Sequence, residues 1–458
     1  MKFRALLFLA LFSGCATYQS MTLPGSASLV HDVRQLKVDL ASMPDAALAS
    51  HPFDPSDGFD MTEVAMLAVV NSPELRLARA EAGVTRAQAF SAGLLPDPQL
   101  ALTRDSVLGN PAGATLAFTA GLTVDIAALL AHSSSKAAAD AESRKSTLDL
   151  LWQEWQTVAK ARLLFVKLDA IGQAQAVLAQ QRTLLRRRLD EAQGAVQRGL
   201  ITNDAATPQF TAYEDANRQW SDQERQRNQA QHDLNALLGI SPDALLTLVG
   251  TSDVAEMDAD QVRTAIAESP RRRPDLLALQ SGFEAQDDRY RGALRAQFPA
   301  ITVGPTRGRD TSNVNTAGIS LGISLPLFNR NRGNIAIESA TREKLQVDYQ
   351  QRLNATSIDS HRLLAEQAIL QRQIADIDAS LPMLAQAADR AGRAFEAHNI
   401  DALTLTNIEG AVLARRLERI AAQQALQEQA IALQALLGTH LNVPERAAEN
   451  NNLDEKNS

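Results

Sequence analysis

The chain has 458 residues, of which 45% are hydrophobic and only 4% aromatic, and its formal net charge is −8 at pH 7. The length would allow two or three ordinary domains, but the shortage of aromatic side chains favours long helices packed on small residues over one thick core. The acidic balance excludes a nucleic-acid partner, because a phosphate-binding surface needs an excess of basic side chains.

The first residues predict an export signal. Lys2 and Arg4 precede an apolar run, Ala5 to Phe12, that is too short to cross a bilayer as a helix. Residues 12–15, Phe-Ser-Gly-Cys, resemble a bacterial lipobox, so we expect residues 1–14 to be removed and Cys15 to carry acyl chains that anchor the protein to a membrane. The alternative is an incidental cysteine within a cleaved signal.

Both ends of the mature chain are expected to lack long elements. Residues 15–60 contain several prolines that break regular structure, and they predict an extended arm that wraps around the outside of the body. Residues 439–458 are polar and rich in asparagine, which predicts a disordered tail.

The body between these ends is duplicated. Ser72-Pro73-Glu74-Leu75 recurs as Arg273-Pro274-Asp275-Leu276, and three further pairs of short motifs recur at the same offset of about 200 residues. The sequence therefore predicts two structural repeats, 61–240 and 241–438, each containing a helix, two strands and a pair of long helices.

The helical part of each repeat follows from apolar spacing and from breakers. An amphipathic helix (about 62–92, and about 275–296) ends at a proline-containing turn, and the long helices show coiled-coil spacing. In the first repeat they span 136–197 and 205–238, and in the second 334–396 and from the next turn to 437. Gly239 and Gly438 end the returning helices, and Pro382 predicts a kink or a break one turn upstream.

The strands carry the membrane signal. From Thr115 to Val124, and again from Thr316 to Leu325, large apolar residues alternate with small or hydroxylated ones. This is typical of a strand with lipid on one side and a wet lumen on the other, although a soluble sandwich would show a similar alternation. Weaker partner strands are predicted at 99–104 and 300–306, and the loops 105–114 and 307–315 would face outside.

Four strands cannot close a barrel, and an open edge in lipid leaves backbone groups unpaired. The chain must therefore assemble with copies of itself. Two copies would give eight strands and a filled interior, whereas three would give a twelve-stranded barrel with room for a channel. The expected fold is mainly α-helical with a transmembrane β-barrel portion that a trimer completes.

These features together resemble the TolC-like outer-membrane efflux proteins of Gram-negative bacteria. The duplicated element order, Cys15 and the strand-end motifs carry the resemblance, which covers residues 61–438. Asn71 to Leu75, Leu95 to Pro98 and Leu325 to Ile335 are similar to the branch that serves heavy-metal efflux pumps of the cobalt-zinc-cadmium type.

The resemblance implies a homotrimeric, passive duct across the outer membrane and the periplasm. It also implies a periplasmic adaptor protein and an inner-membrane pump, of the proton-driven resistance-nodulation-division type, as partners, and outer-membrane lipid around the barrel. The turns between the long helices become the periplasmic tips that contact the adaptor. Their residues are Gly199, Leu200, Ile201, Thr202 and Asp204 in the first repeat and His398, Asn399, Ile400 and Asp401 in the second.

The gate is less well matched. Members of the family place a ring of carboxylates a few residues after the second tip, but Thr404 and Asn407 occupy the aligned positions here. A charged gate must then come from Asp401 or Asp204.

Enzyme and cofactor sites are not expected. The seven histidines are scattered without metal-ligand spacing, and Cys15 is the single cysteine. Two kinds of function stay open: an efflux duct, for metal cations or alternatively for drugs or secreted proteins, and a structural exported coiled-coil protein without channel activity.

Overall fold

The computed structural model describes residues 17–33, 36, 38–40, 43, 46–106, 108–109, 113 and 115–438. The predicted signal peptide, Cys15 and the tail 439–458 lie outside the described residues, so the processing, lipid anchor and disorder expected there stay predictions.

One order of elements occurs twice along the described chain. After a short helix α1 (Ala46–Ser50), the first series is α2 (Met61–Asn71), α3 (Pro73–Ala92), β1 (Gln99–Asp105), β2 (Ala117–Asp125), α4 (Ile126–Gln197) and α5 (Asn203–Leu237). The second series is α6 (Ala259–Arg272), α7 (Pro274–Arg295), β3 (Ile301–Arg309), β4 (Asn315–Ile323), α8 (Arg332–Glu396) and α9 (Ala402–Leu437).

The single helix expected over 62–92 is wrong, because the chain breaks at Ser72 into α2 and α3. The cause is Pro73, which is the first residue of α3 and disfavours helical geometry at the residue before it. The second series has the same break at Arg273, before Pro274. The helix α6 was not predicted, although Asp258 and Gln261 form a capping box at its start.

The long helix α4 has 72 residues, which corresponds to a length of about 108 Å. It begins ten residues before the predicted start, because Asp125 ends β2 and also caps the helix, its carboxylate accepting a bond from the Ala128 N–H at 3.0 Å. Of the kink or break expected near Pro382, the break does not occur, since α8 runs unbroken from Arg332 to Glu396. Arg419 and Arg415 of α9 hold Asp378 and Ser380, in the turn before the proline, against the neighbouring helix.

The main hydrophobic core lies part of the way along the long helices. Its centre is α2, in which every residue from Val64 to Val69 is at most 1% exposed. Phe165 and Ile171 of α4 and Leu234 of α5 pack around this helix. A second cluster joins α6 to the middle of α8 and to the C-terminal end of α9. The two clusters therefore hold α4 and α8 at their middle and α5 and α9 at their C-terminal ends, and the turns between the long helices lie away from them.

The described residues between 17 and 60 form no helix or strand element other than α1. This arm lies against the main core, where Leu48 and Phe59 are buried. Two isolated parallel bridges hold it, Val30 with Ile240 and Phe59 with Leu248. Both bridges attach the arm to the connection between α5 and α6.

The strands form one antiparallel sheet in the order β1-β2-β3-β4. Each predicted pair of strands is therefore a hairpin, and the pairing of β2 with β3 joins the two hairpins into one sheet. The strands β1 and β4 are its edges.

Candidate functional site: the two-faced sheet and the helical tips

One face of the sheet is apolar and exposed. Strand register brings Leu100 opposite Leu122, and Pro305 opposite Ile319, on this face. Leu100 is 66% exposed and Ile319 is 80% exposed. A contiguous row of large exposed apolar side chains on a sheet requires a covering phase or partner, and its alternation with the opposite face fits a lipid-facing strand surface.

The opposite face carries small or polar residues. Across the sheet, Thr119 pairs with Gly308, Gly121 with Thr306, and Gly304 with Ser320. The charged residues that the register places on this face of the described strands are Asp105, paired with Ala117, and Asp125, paired with Thr302. They are carboxylates at opposite ends of the strands, so the face is electronegative and otherwise uncharged.

Gly304 shows why small residues are needed on this face. A Cβ atom there would lie 1.7 Å from the Leu122 carbonyl oxygen and 2.9 Å from the Thr123 Cα. No side chain fits that space, so β3 requires glycine at this position, directly before Pro305.

Both sheet edges have unpaired backbone groups. β1 bonds only to β2, and β4 bonds only to β3, among the residues that the structure describes. An exposed edge invites another strand, and edges of this kind in one chain are complementary when β4 of one copy meets β1 of the next.

The two turns between long helices have the same geometry. Gly199 has a φ of 70° and His398 a φ of 59°, so both adopt the left-handed conformation that ends a helix. The following N–H groups bond back to the same relative position, Leu200 to the Ala195 carbonyl at 2.9 Å and Asn399 to the Ala394 carbonyl at 2.8 Å. The predicted tips are therefore equivalent turns in the two repeats.

The next residues of each tip start the returning helix. The Thr202 hydroxyl accepts a bond from the Ala205 N–H at 3.3 Å, and the Asp401 carboxylate accepts one from the Thr404 N–H at 2.8 Å. The Thr404 hydroxyl and N–H both hold the pKa of Asp401 below its usual range. Asp401 thus has a capping role in the fold, and it stays ionised at neutral pH.

The remaining gate candidates are exposed and separate. Asp204 lies in the first turn of α5, and Thr404 and Asn407 lie in the first two turns of α9. No hydrogen bond or ion pair within the described part of the chain joins Asp204 to Asp401. A gate built from these positions stays a prediction.

An ion pair near the tips was missed by sequence reasoning. Arg188 of α4 forms a bidentate contact with Glu409 of α9, with one of its two bonds, Nη2 to Oε1, at 2.8 Å. The side chains are 21% and 16% exposed. The pair ties the first hairpin of long helices to the second. The Arg186 to Arg188 run was visible in the sequence, but nothing in it identified Glu409 as the partner.

Metal-ligand clusters are absent from the residues that the structure describes: no group of three or more His, Cys, Asp or Glu side chains is placed to hold an ion. His398 is exposed in the second tip. Within the same residues, no helix has both the length and the apolar character required to cross a membrane.

Comparison with known proteins assigns the second half of the chain. Residues 265–439 match the family model described as outer membrane efflux protein. No curated protein matches the chain by sequence.

Solved structures extend the likeness to the whole fold. A membrane protein from Pseudomonas aeruginosa matches with a TM-score of 0.72 and 19% identity, over 93% of this chain and 100% of that chain. The Campylobacter jejuni CmeC outer membrane channel matches with a TM-score of 0.72 and 14% identity, over 97% and 99% of the two chains. CusC matches with a TM-score of 0.70 and 16% identity, over 90% and 99%.

The fold expected from the sequence is confirmed by these likenesses, since long helical hairpins and a four-stranded antiparallel sheet are common to the TolC-like channels. The matching family consists of channel proteins and is not a family of enzymes. Residues 265–439 thus match the model of the outer membrane efflux protein family, and the described chain as a whole has the fold of the solved outer-membrane channels.

Proposed function

We propose that three copies of this chain form a passive efflux channel that crosses the Gram-negative outer membrane and extends into the periplasm. The observation that carries the proposal is a sheet with one apolar face, one small, polar face and two open edges, in which β2 and β4 each lead into a hairpin of long helices. Closure of β4 on β1 of the next copy gives twelve strands, with the apolar face toward lipid and the polar face toward the lumen.

The long helices extend the proposed channel into the periplasm. Members of the family are homotrimeric channels that work with adaptor proteins and inner-membrane pumps. In this chain α4, α5, α8 and α9 continue the barrel as a tunnel, and the tips at 199–204 and 398–401 meet the adaptor. A pump of the resistance-nodulation-division type supplies the energy, and Cys15 carries the lipid anchor at the membrane surface.

Charge on the lumenal face supports a cationic cargo. Asp105 and Asp125 are the charges that the strand register places on that face, and a trimer arranges them as two rings of three carboxylates, one at each end of the barrel. Carboxylate rings favour cations in wide, wet pores. Together with the resemblance of residues 325–335 to the heavy-metal branch, this supports metal cations over drugs or secreted proteins.

Ion selectivity in planar lipid bilayers tests the channel and its cation preference together. We expect the purified protein to conduct and its reversal potential in a KCl gradient to have the sign of a cation-selective pore. The double variant Asp105→Asn/Asp125→Asn should lose most of that preference while it still conducts. Asp243→Asn, which removes an exposed carboxylate in the connection between α5 and α6, is the matched control.

The outcomes distinguish a channel from a structural protein, and a cation-selective channel from an unselective one. A protein that never conducts, and that salt alone extracts from membranes, is the structural exported coiled-coil protein and not a channel. A conducting protein whose double variant keeps the wild-type reversal potential has no cation filter at these carboxylates.

A separate experiment on cells addresses the cargo. Loss of metal resistance, with drug resistance unchanged, in cells that lack the protein would support metal cations as cargo.

The partner and anchor assignments have their own tests. Cross-linkers placed at residues 199–204 should capture a periplasmic adaptor, and recovery of none would contradict the tip assignment. Cys15→Ser should remove the mass of the acyl chains from the mature protein, and an unchanged mass would contradict lipidation.

A further inference from the structure

Three arginines interrupt the apolar face of the sheet at one end. Strand register places Arg104 and Arg309 on either side of Phe118, and Arg307 lies two residues from Arg309 on the same face. At normal strand spacing, the Cα atoms of Arg104 and Arg309 are about 10 Å apart, and those of Arg307 and Arg309 about 7 Å apart. We call these three residues the arginine cluster.

The cluster has no partner among the residues that the structure describes. Its members are exposed and make no ion pair or side-chain hydrogen bond there. The neighbouring carboxylates do not pair with the cluster. Asp105 lies on the opposite face, and Asp310 accepts bonds at 2.9 Å from the N–H groups of Ser312 and Val314 within its turn.

The position of the cluster is also specific. It occupies the two rows of the sheet next to the loops 106–116 and 310–314, whereas the rows farther from those loops carry apolar residues on this face. The loop 106–116 contains no charged residue. Arginine on a lipid-facing strand is costly at the bilayer centre and nearly free of cost at the interface. The cluster therefore marks the level at which the hydrocarbon of the outer leaflet ends.

A guanidinium group at that level meets lipid headgroups, and its planar donors match phosphate in a bidentate way. We propose that the arginine cluster binds the phosphate groups of an anionic lipid in the outer leaflet, whose acyl chains cover the apolar rows below. This inference rests on the proposed function, because it requires the apolar face to lie in a membrane. A trimer would carry three such sites, one on each subunit.

Lipid binding to the detergent-solubilised trimer tests the proposal. The probe is a bisphosphorylated glucosamine lipid (lipid A), with its dephosphorylated form and inorganic phosphate as comparisons, and native mass spectrometry counts the bound molecules. We expect the wild type to retain lipid A at least about tenfold more tightly than the dephosphorylated lipid, because charge-assisted bonds to phosphate are lost. Inorganic phosphate should not compete at equal concentration, since it lacks the acyl chains.

The variant Arg104→Gln/Arg307→Gln/Arg309→Gln should reduce lipid A retention about tenfold, and replacement of the same residues by lysine should give an intermediate loss. The variant Arg271→Gln/Arg372→Gln/Arg393→Gln removes the same charge from exposed helix positions and should bind as the wild type does. Equal retention of the two lipids by the wild type overturns the proposal without any variant. Equal retention by the cluster and control variants overturns it as well.

Bilayer conductance, measured on the same preparations, separates the two proposals. Conduction combined with no preference for phosphate refutes the lipid site and leaves the channel intact. A wild-type protein that does not conduct refutes the channel itself.

Discussion

Gly438 offers the most direct test of how the helical body is held together. It ends α9 with a φ of 69°, and an added Cβ atom would lie 2.4 Å from Cζ3 and 2.8 Å from Cη2 of Trp155. Trp155 belongs to α4 and is only 1% exposed, so it has no room to withdraw. Gly438→Ala therefore combines backbone strain with overpacking of the contact between α9 and α4.

The magnitude follows from separating these two costs. A left-handed conformation costs a residue with a Cβ atom about 1–2 kcal/mol, and forcing extra volume into a packed site costs about 1–3 kcal/mol. We expect Gly438→Ala to destabilise the protein by about 2–5 kcal/mol. Gly199→Ala is the matched control, because Gly199 has a φ of 70° but nothing lies within 4 Å of its added Cβ atom. It should cost only the strain.

Thermal unfolding followed by far-ultraviolet circular dichroism, in one detergent for all variants, measures the difference. Gly438→Ala should melt clearly below Gly199→Ala, and the fluorescence of the tryptophans should change only in the former. Equal melting temperatures for the two variants would show that Trp155 moves freely, and the packing argument would be refuted.

Three other predictions concern the tips. Glu409→Gln leaves half-buried Arg188 without its counter-charge, so we expect a loss of about 1–3 kcal/mol and a larger single-channel conductance in bilayers; unchanged values of both would mean that the pair does not restrain the hairpins. His398→Gly relieves a left-handed backbone and should stabilise the protein by about 0.5–1 kcal/mol in the same melting assay, whereas His398→Ala should not. The fold lowers the pKa of Asp401, so the stability that its ionised side chain contributes is complete above the unfolded pKa of about 3.9 and is lost as the pH falls through the folded pKa. The difference in melting temperature between the wild type and Asp401→Asn should therefore shrink on acidification. A difference that does not change with pH would contradict the capping role.

Periodicity and breakers predicted most of the fold. The alternation around Leu116 to Val124 placed β2 because a strand with two different faces has a period of two, and the glycines Gly239 and Gly438 marked helix ends because both need a positive φ. The single helix expected over 62–92 failed for a local reason, because Pro73 breaks it, whereas the continuity of α8 depends on another part of the chain. Pro382 is tolerated within α8 because α9 holds the preceding turn.

The candidate site was predictable only in part, for the same reason. The turns at 199–204 and 398–401 follow from local signals, and their role as tips that contact an adaptor stays a prediction. Arg188 and Glu409 are more than two hundred positions apart, and nothing in the sequence around either residue distinguishes it from the many exposed charged residues of the long helices. The arginine cluster was missed because Arg104 and Arg309 belong to different repeats, and only the register of β2 with both neighbours brings them to one face.

The pairing of β2 with β3 also sets the order in which the chain can fold. The β1–β2 and β3–β4 hairpins close short loops, but the bridge from Asp125 to Thr302 closes a segment of about 180 residues. The length-dependent part of the entropy cost of closing this loop is about 4.6 kcal/mol. Pairing of the two hairpins offsets this cost only when the helices between them are already packed. We therefore expect the helical body to form first and the complete sheet last, so that the apolar face is assembled only when the chain has already become a rigid platform for it.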